Sequence, residues 1–383
     1  MDKPTVQDIF HRFYPAYLDQ YSPSPVQAKV AHNIMNCKTG AYGANVCVCE
    51  DCGFVQIHYN SCRNRCCPMC QAVPKEMWMD ARREDVLDAP YFHLVFTVPD
   101  ILNPVIYSNQ RLLYDALYHA ASSTISELTA DPKHLGAKVG YICILHTWGS
   151  EMNFHPHIHT ILLGGGLASN NQWKDNGENF FLPIRVISKM FRGKYLEELK
   201  RLWEEDKLVF HGTAEKFRNH YTFKELLDSC YGMDWIPHCK KTFNGAQTVI
   251  KYLGKYTHRI AVSNHRIVRM DDDTVTFLVK DYRNEGQWKE LTISGVEFVR
   301  RFLMDVPPRR FVRIRHYGLL CSRTKSQKLT LCRNLLGCKK YLSKLRDMEM
   351  PEILEHLYGI KVCVCKACGG HLGKPQMRMP LRC

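Results

Sequence analysis

The sequence has no long apolar run. No window of its 383 residues approaches the roughly 18 consecutive apolar residues that a membrane-spanning helix needs. The first residues, MDKPTVQD, lack the basic and apolar segments of an export signal, so we expect a cytoplasmic protein without a membrane partner. Acidic residues are scarce, because 38 Asp and Glu face 52 Lys and Arg and leave a formal net charge of +14. Such an excess favours a polyanionic partner, with nucleic acid as the first candidate.

The composition is that of a globular protein, with 45% hydrophobic residues, and the length is enough for two or three domains. Runs rich in β-branched and aromatic residues, YFHLVFTVP, KVGYICILHT and HIHTILLGG, combine with stretches of helical spacing and predict an α+β fold. The predicted divisions are a helical lead-in at 1–36, a cysteine-rich domain at 37–75, a connecting helix at 76–90, a central domain at 91–299 with an insertion at about 167–240, a basic region at 300–350 and a C-terminal segment at 351–383.

Cysteines are numerous and clustered. Eight of the eighteen lie between Cys37 and Cys70, and four lie between Cys363 and Cys383. In a long chain without an export signal, such clusters indicate metal binding rather than disulfide bonds. We therefore predict a zinc-binding domain at 37–75, with a structural ion because four thiolates leave no open coordination position. The first candidate ligands are the two C-x-x-C pairs Cys49 with Cys52 and Cys67 with Cys70, while spacing leaves open a different quartet or a second ion with Cys47, Cys62 or Cys66.

A further C-x-x-C pair lies near the C-terminus. It consists of Cys365 and Cys368 and is followed by His371 and Cys383. Only half of a metal site is certain from this spacing. The segment is either a second zinc knuckle or a tail with free thiols.

Three histidines alternate in His155-Pro-His157-Ile-His159, at the start of an apolar run. On a β-strand, residues two apart project from the same face, so His157 and His159 can hold one metal ion between them. A single histidine would more often be a half-buried side chain with a satisfied hydrogen bond. Three at this spacing favour a metal site, with His155 as an additional candidate ligand.

Two tyrosines, Tyr252 and Tyr256, lie four residues apart in a stretch with helical spacing. They share one helix face, and alone they would be read as two amphipathic core residues. Three cations nearby, Lys251, Lys255 and Arg259, favour contact with a phosphate. A tyrosine hydroxyl can attack a phosphate that a divalent ion polarises, and the histidine strand could supply that ion.

The segment 300–346 carries most of the excess charge, with fourteen Lys and Arg and one acidic residue, Asp305. A solvated basic face is one interpretation of such a segment. Aromatic residues interleave with the cations, which favours contact with a nucleic-acid backbone. The predicted DNA contacts there are Arg309, Arg310, Arg313 and Arg315.

Five motifs occur in an order that is similar to a known family. They are SCRNRCCPMCQ, FHLVFTVPD, LHTWGSEMNFHPHIHTILLGGG, YLGKYTHRIAVSNHRI and FVRIRHYGLL. From about residue 42 to residue 368 the chain resembles the rolling-circle insertion-sequence transposases of the two-tyrosine HUH type. The resemblance implies a single-strand DNA endonuclease and ligase, built on an antiparallel sheet flanked by helices, that acts on single-stranded DNA at element ends and target.

The family's residue roles transfer to the matching positions. In the family, the histidine pair, here His157 and His159, binds Mg²⁺ or Mn²⁺, and the two tyrosines, here Tyr252 and Tyr256, form 5′-phosphotyrosine intermediates. FHLVFTVP would be the strand beside the histidines. The resemblance also implies that the protein is bacterial, is associated with the nucleoid and can associate with itself.

Several points stay open at this stage. The third ligand of the catalytic ion could be His155, His146, Glu151 or Gln247. Nitrogen ligands suit Mn²⁺ at least as well as Mg²⁺. Relatives usually carry His where this chain has Cys66, so the zinc ligands could differ locally. A replication initiator or relaxase would share the chemistry, whereas a non-catalytic zinc-finger DNA-binding protein would never form a covalent adduct with DNA.

Overall fold

The computed structural model describes residues 3–175, 182–235, 238–243, 249, 252, 254, 260–281 and 286–378, with the backbone alone for 238–243. Its helices are α1 (Val6–Leu18), α2 (Pro25–Met35), α3 (Ala72–Arg83), α4 (Asn103–Ser108), α5 (Gln110–Ala130), α6 (Ile184–Glu204), α7 (His220–Gly232), α8 (Gly295–Met304), α9 (Lys325–Leu336) and α10 (Met350–Tyr358). Its strands are β1 (Ala44–Val48), β2 (Val55–Tyr59), β3 (Tyr91–Thr97), β4 (Lys138–Trp148), β5 (Phe154–Leu167), β6 (Trp173–Asp175), β7 (His238–Phe243), β8 (Ile267–Met270), β9 (Thr274–Asp281), β10 (Gln287–Ser294), β11 (Ile314–Gly318) and β12 (Gln376–Arg378).

The largest sheet is antiparallel and has the strand order β11-β4-β5-β3-β7, with β6 paired to β5. Alternate residues of β5 face opposite layers, as the period of a strand requires. Ile158 and Leu162 pack into the core that contains α5, α6 and α7, whereas Ile161 and Leu163 pack into a second core with Val249 and α9. The predicted α+β class, with an antiparallel sheet flanked by helices, is confirmed, and β3 is the neighbour of the histidine strand as predicted.

A separate core joins the two N-terminal helices to a later part of the chain. Thr5 and Ser24 begin α1 and α2 with capping boxes, which satisfy backbone N–H groups that a helix start leaves without partners. The apolar faces of both helices pack against α8 and the three-stranded sheet β10-β9-β8. The ring centroids of Phe10 and Phe302, for example, are 5.2 Å apart. This core contains residues from both sides of the predicted domain boundaries near 36 and 299. The division into domains stays a prediction.

A third sheet connects the beginning and the end of the chain. The hairpin β1-β2 pairs with β12, so that Ala44 lies opposite Arg378 and Val46 lies opposite Gln376. The cysteine-rich segment is thereby held next to the C-terminal C-x-x-C pair. Across the described ranges, no helix combines the length and the apolar character that crossing a bilayer requires.

Candidate active site and metal centres

Three histidines converge on one face of the central sheet. Strand β5 presents His157 and His159, and the register of β4 places His146 directly opposite His157. One ring nitrogen from each lies within 4.8 Å of the others, and all three side chains are buried. This is the face against which Val249 and Tyr252 pack, so the sheet brings the predicted metal ligands to the tyrosine.

The positions of the histidine nitrogens are compatible with a bound metal ion. His157 Nδ1 lies 2.7 Å from the carbonyl oxygen of His155, so this nitrogen carries the proton and donates it. The Nε2 atoms of His157 and His159 are 3.1 Å apart. Two nitrogens bound at about 2.1 Å in adjacent octahedral positions would be about 3.0 Å apart. The donor set therefore fits a single divalent ion.

The structure separates the candidates for the third ligand. His146 joins the pair, whereas His155 turns outward and its Nδ1 lies 3.2 Å from a carboxylate oxygen of Asp100. A carboxylate oxygen of Glu151 lies 3.9 Å from Nζ of Lys289, and Glu151 is outside the histidine group. Gln247 lies outside the described residues. His146 is thus the candidate that the geometry places beside His157 and His159.

A fourth histidine, His93, was missed from the sequence. It lies on β3, next to β5, and its Nε2 is 2.9 Å from Nδ1 of His159. The hydroxyl oxygen of Tyr252 is 2.7 Å from Nδ1 of His93 and 3.3 Å from its Nε2, so Nδ1 makes the shorter contact. A signal was available, because His93 alternates with buried residues in FHLVFTVP and pairing of this strand with β5 places it on the histidine face. The tyrosine is therefore linked to a metal-site histidine through one imidazole.

Helix α3 lies close to the chain segment that carries Tyr252. Tyr252 packs against the same apolar core as Trp78 and Met79 of α3, and Gly254, two residues further on, is helical and buried. A β-carbon at position 254 would overlap the sulfur of Met79, so any other residue there would require the Met79 side chain to move. The other predicted residues of this segment, Lys251, Lys255, Tyr256 and Arg259, lie outside the described residues.

One thiolate cluster forms at the junction of α2, the end of β2 and the start of α3. Its four sulfurs lie within 4.8 Å of one another, with Cys70 Sγ 3.5 Å from Cys37 and 3.6 Å from Cys62. Hydrogen bonds from the Cys62 and Cys67 thiols lower the pKa of Cys70 to about 2, whereas contacts with Cys62 and Cys70 raise the pKa of Cys67. Its members are Cys37, Cys62, Cys67 and Cys70.

The other N-terminal pair belongs to a second cluster. Cys49 and Cys52 lie with Cys365 and Cys368, and this grouping replaces the single quartet that spacing suggested. The reason is the sheet β12-β1-β2, which carries the C-terminal pair to the β1-β2 turn. His371 is not part of the group, because its Nδ1 faces Glu50 at 3.5 Å, and Cys383 lies outside the described residues.

Two further candidate cysteines stand apart from both clusters. Cys66 is buried in a crevice with Asp305 and Arg313, and burial raises the pKa of its thiol. Cys47 is also buried, and desolvation raises its pKa as well. Both behave as small apolar side chains in this structure.

A groove of about 1300 Å³ is bordered by the cysteine-rich loop at 61–71, the start of α3, the segment before β11, and α10. Met350, Leu354 and Tyr358 of α10 form an apolar wall. The described lining has no acidic side chain but has five cations, Lys38, Arg63, Arg65, Arg310 and Arg313. This lining matches a negatively charged polymer that also exposes flat apolar groups.

The basic segment is less free than its composition suggests. Arg315 pairs with Asp115 and stacks 4.0 Å from the centre of the Tyr118 ring, and Arg309 is exposed outside the groove lining. Of the four arginines predicted to bind DNA, the groove thus contains Arg310 and Arg313. Other cations of 300–346 form ion pairs with acids from elsewhere, namely Arg300 and Arg301 with Glu297, Lys325 with Asp85 and Arg346 with Glu84.

Comparisons with known families identify the class of protein. A family model described as "Putative transposase" matches residues 140–328, which include the three clustered histidines and both tyrosines. A model described as "Transposase zinc-binding domain", specific to the IS91 type, matches residues 9–98, which include the first thiolate cluster. No solved structure matches the chain significantly. The class is therefore a transposase with a zinc-binding domain.

Two curated relatives cover most of the chain. "Putative transposase y4qJ" of Sinorhizobium fredii is 40% identical over 369 residues, which is 95% of this chain and 93% of the relative. "Transposase for insertion sequence element IS801" of Pseudomonas savastanoi pv. phaseolicola is 30% identical over 309 residues, which is 79% of this chain and 72% of the relative. The chain belongs to the IS91-type insertion-sequence transposases, and the resemblance seen in its motifs is confirmed.

Proposed function

We propose that this transposase nicks and rejoins single-stranded DNA at the ends of an insertion sequence, with Tyr252 and Tyr256 as nucleophiles. The observation that carries the proposal is the position of the Tyr252 hydroxyl, one hydrogen-bonded imidazole away from a cluster of three histidines. A DNA-binding protein without catalysis has no need for a tyrosine hydroxyl at such a place. The named relative for an insertion sequence supports the substrate.

The chemistry is a transesterification. The tyrosine oxygen bonds to the scissile phosphorus, and the bond from phosphorus to the 3′ oxygen breaks. The phenol loses its proton and the 3′ oxygen gains one, so the products are a 5′-phosphotyrosine and a free 3′-OH. Because the energy of the phosphodiester is kept, another 3′-OH can reverse the attack without ATP. With two tyrosines, one strand can be held while the next is cleaved.

The residues that would hold the catalytic Mg²⁺ or Mn²⁺ are His146, His157 and His159. When bound, a divalent ion polarises the phosphate oxygens and offsets the charge that develops during attack. Buried imidazoles fixed by second hydrogen bonds are suited to hold it in one position. We assign the zinc of the zinc-binding domain to the first thiolate cluster, where it would link the end of α2 to the start of α3.

The hydrogen-bond chain gives His93 a role as a positioning residue. If His157 and His159 present Nε2 to a cation, the proton of His159 is on Nδ1 and is donated to Nε2 of His93. The proton of His93 is then on Nδ1 and is donated to the oxygen of Tyr252. This donor orients the oxygen and stabilises the negative charge that it acquires as its proton leaves.

Replacing His93 with alanine is expected to slow DNA attachment. Loss of a hydrogen bond to a charged oxygen costs about 1.5–3 kcal/mol, which corresponds to a rate about 10- to 150-fold lower. The measurement is the single-turnover rate of covalent adduct formation. His93→Asn, whose amide N–H can occupy the place of Nδ1, is expected to recover most of the rate.

The matched variant is His93→Gln, whose amide reaches toward the place of Nε2 instead. It should remain slow. All rates are compared at saturating Mn²⁺, because His93 accepts a hydrogen bond from Nδ1 of the candidate ligand His159 and its loss is expected to weaken Mn²⁺ binding. Equal rates for the asparagine and glutamine variants would argue against donation from Nδ1.

The groove is proposed to bind DNA next to the cleavage site. Its cations can contact phosphates, and exposed Tyr358 can stack on an unpaired base. Arg65 has a structural part as well, since it donates to the backbone oxygens of Pro308 and Phe311 and ties the cysteine-rich segment to the basic one. Exposed Arg63 and Arg310 are therefore the better probes of DNA contact.

The double variant Arg63→Gln/Arg310→Gln is expected to weaken binding and flatten its salt dependence. Two lost phosphate contacts on single-stranded DNA should reduce the slope of log K against log salt by about 1.4. Fluorescence anisotropy with a labelled oligonucleotide at several salt concentrations measures this slope. The control is Arg185→Gln/Lys189→Gln, which removes the same charge from exposed positions of α6 outside the groove. Equal slopes for both double variants would contradict the proposal.

Strand polarity tests the proposed reaction itself. The protein is incubated with single-stranded DNA from an element end and Mn²⁺ or Mg²⁺, with the label on the 3′ end in one sample and on the 5′ end in another. A 5′-phosphotyrosine retains the 3′-labelled fragment on the protein and releases the 5′-labelled one with a free 3′-OH. Release of both labels, or retention of the 5′ label, would refute this chemistry.

A further inference from the structure

We propose that the β1-β2 turn and the segment after α10 together bind a second structural zinc ion, through Cys49, Cys52, Cys365 and Cys368. This site is distinct from the one in the N-terminal zinc-binding domain, because half of its ligands lie beyond residue 360. It also differs from a C-terminal zinc knuckle, which would use ligands from one segment. The proposal is independent of the DNA chemistry proposed above.

The sulfur positions match a tetrathiolate site. Cys49 Sγ is 3.5 Å from Cys368 Sγ, Cys52 Sγ is 3.8 Å from Cys365 Sγ, and all four lie within 4.8 Å of one another. Four sulfurs at about 2.3 Å from a zinc ion in a tetrahedron are separated by about 3.8 Å. Each short contact joins a sulfur of the Cys49/Cys52 pair to a sulfur of the Cys365/Cys368 pair, as one ion shared by both pairs requires.

The two pairs sit in matching turns. Each has the sequence Cys-x-x-Cys-Gly, and Gly53 and Gly369 adopt positive φ values of 71° and 77°. In both turns the glycine N–H donates to the carbonyl of the first cysteine at 3.0 Å. Backbone N–H groups also point at the sulfurs, with Ala367 N 3.4 Å from Cys365 Sγ and Gly370 N 3.4 Å from Cys368 Sγ. Such donors stabilise thiolates, and two equivalent knuckles supply the four ligands.

The surrounding backbone holds the knuckles together, but its apolar core is very small. Glu50 N donates to the His371 carbonyl at 3.0 Å, and Gly373 N donates to the Val48 carbonyl at 2.9 Å. The only described buried apolar residues here are Cys47, Cys49, Cys365 and Leu372. A core of this size cannot stabilise a folded module by burial alone, so a bound metal is expected to supply that free energy.

The site has a consequence for the groove. The C-terminal pair follows α10 by a few residues, and α10 provides the apolar wall opposite the arginines. Zinc at this position would attach the segment after α10 to the β1-β2 turn and thereby hold α10 beside the groove. Loss of this ion is expected to weaken DNA binding without removing any residue of the histidine and tyrosine site.

The test is zinc content, measured by inductively coupled plasma mass spectrometry on the full chain. The His157→Ala/His159→Ala background removes zinc that could enter the histidine site. We expect two zinc ions per chain there, and one after Cys365→Ser/Cys368→Ser. The control is Cys321→Ser/Cys338→Ser, two thiols outside both clusters, which should retain two.

If both pairs bind the same ion, the zinc content of the combined variants can be predicted. Cys49→Ser/Cys52→Ser should also bind one zinc, and the quadruple serine variant should still bind one, because both pairs hold the same ion. The ion that remains in the first cluster shows that each variant is folded. X-ray absorption of the protein with two zinc ions should show four sulfur neighbours for each.

One zinc per chain before any cysteine is replaced would overturn the proposal. So would an intact mass showing these four cysteines oxidised in two disulfides, or unchanged zinc content in the Cys365→Ser/Cys368→Ser variant. None of these results bears on covalent attachment of DNA, so failure here is distinguishable from failure of the proposed reaction.

Discussion

Replacing His157 and His159 with alanine is expected to lower the rate of DNA cleavage by at least about a thousandfold, the scale of losing charge stabilisation at a reacting centre. Two of the three clustered imidazoles would be gone, and His146 alone cannot hold a divalent ion in a fixed position. The initial rate of nicking at increasing Mn²⁺ concentration measures the effect. Mn²⁺ binding by electron paramagnetic resonance gives a second readout that does not depend on turnover.

His155→Ala is the matched control. This histidine has the same spacing in the sequence, but its ring faces Asp100 rather than the cluster. Its loss is expected to change the rate by less than about threefold, since exposed ion pairs contribute little. If the two alanine substitutions in the cluster left the rate unchanged, or if His155→Ala were equally damaging, the assignment of the metal site would be wrong.

Tyr252→Phe and Tyr256→Phe are each expected to abolish transposition, with frequencies at least about a thousandfold lower, because phenylalanine keeps the ring but removes the nucleophilic oxygen. Each single variant retains one nucleophile and can still perform one cleavage. The double variant should form no adduct at all. Transposition frequency in cells and adduct yield in vitro together separate these steps.

Tyr221→Phe serves as the control for loss of a tyrosine hydroxyl. Tyr221 begins α7, is highly exposed and lies outside the site, so full activity is expected. Transposition at the normal frequency in either Tyr252→Phe or Tyr256→Phe would show that two nucleophiles are not required. An enzyme with a single essential tyrosine would then be the better description.

Much of the site follows from local sequence. The period of a β-strand places His157 and His159 on one face, and β5 has this geometry. His146 and His93 required more, because their positions depend on which strands pair and in which register. The alternation within each strand is visible in the sequence, but the offset between β4, β5 and β3 is set by packing across the whole sheet. Sequence therefore identified the strand, left His146 as one of four candidate ligands and missed His93.

The cysteines show the same limit over a longer distance. A C-x-x-C turn is a local structure, and all three pairs could be recognised from spacing. The partners of each pair depend on the fold, because Cys49 and Cys368 are 319 positions apart in the chain. Nothing in local spacing distinguishes that arrangement from a quartet closed within 49–70.

The charge of the surface formed by the basic segment was the property hardest to predict from local sequence. Counting residues in 300–346 predicts a strongly basic surface, but acids outside this range pair with several of its cations. Asp85 and Glu84 follow α3, and Glu297 lies at the start of α8. Arg310 and Arg313 keep their place in the groove, while Arg315 is engaged by Asp115. A charge count along the chain cannot include these partners.

The central claim is that a tyrosine of this chain becomes covalently linked to DNA. It is tested most directly by trapping the adduct with single-stranded end DNA, digesting the nucleic acid and mapping the remaining nucleotide by tandem mass spectrometry. We expect a nucleotide on Tyr252 or Tyr256, and we expect it to be absent when EDTA is added and in the Tyr252→Phe/Tyr256→Phe variant. A nucleotide on any other residue, or cleavage with no covalent intermediate, would contradict it.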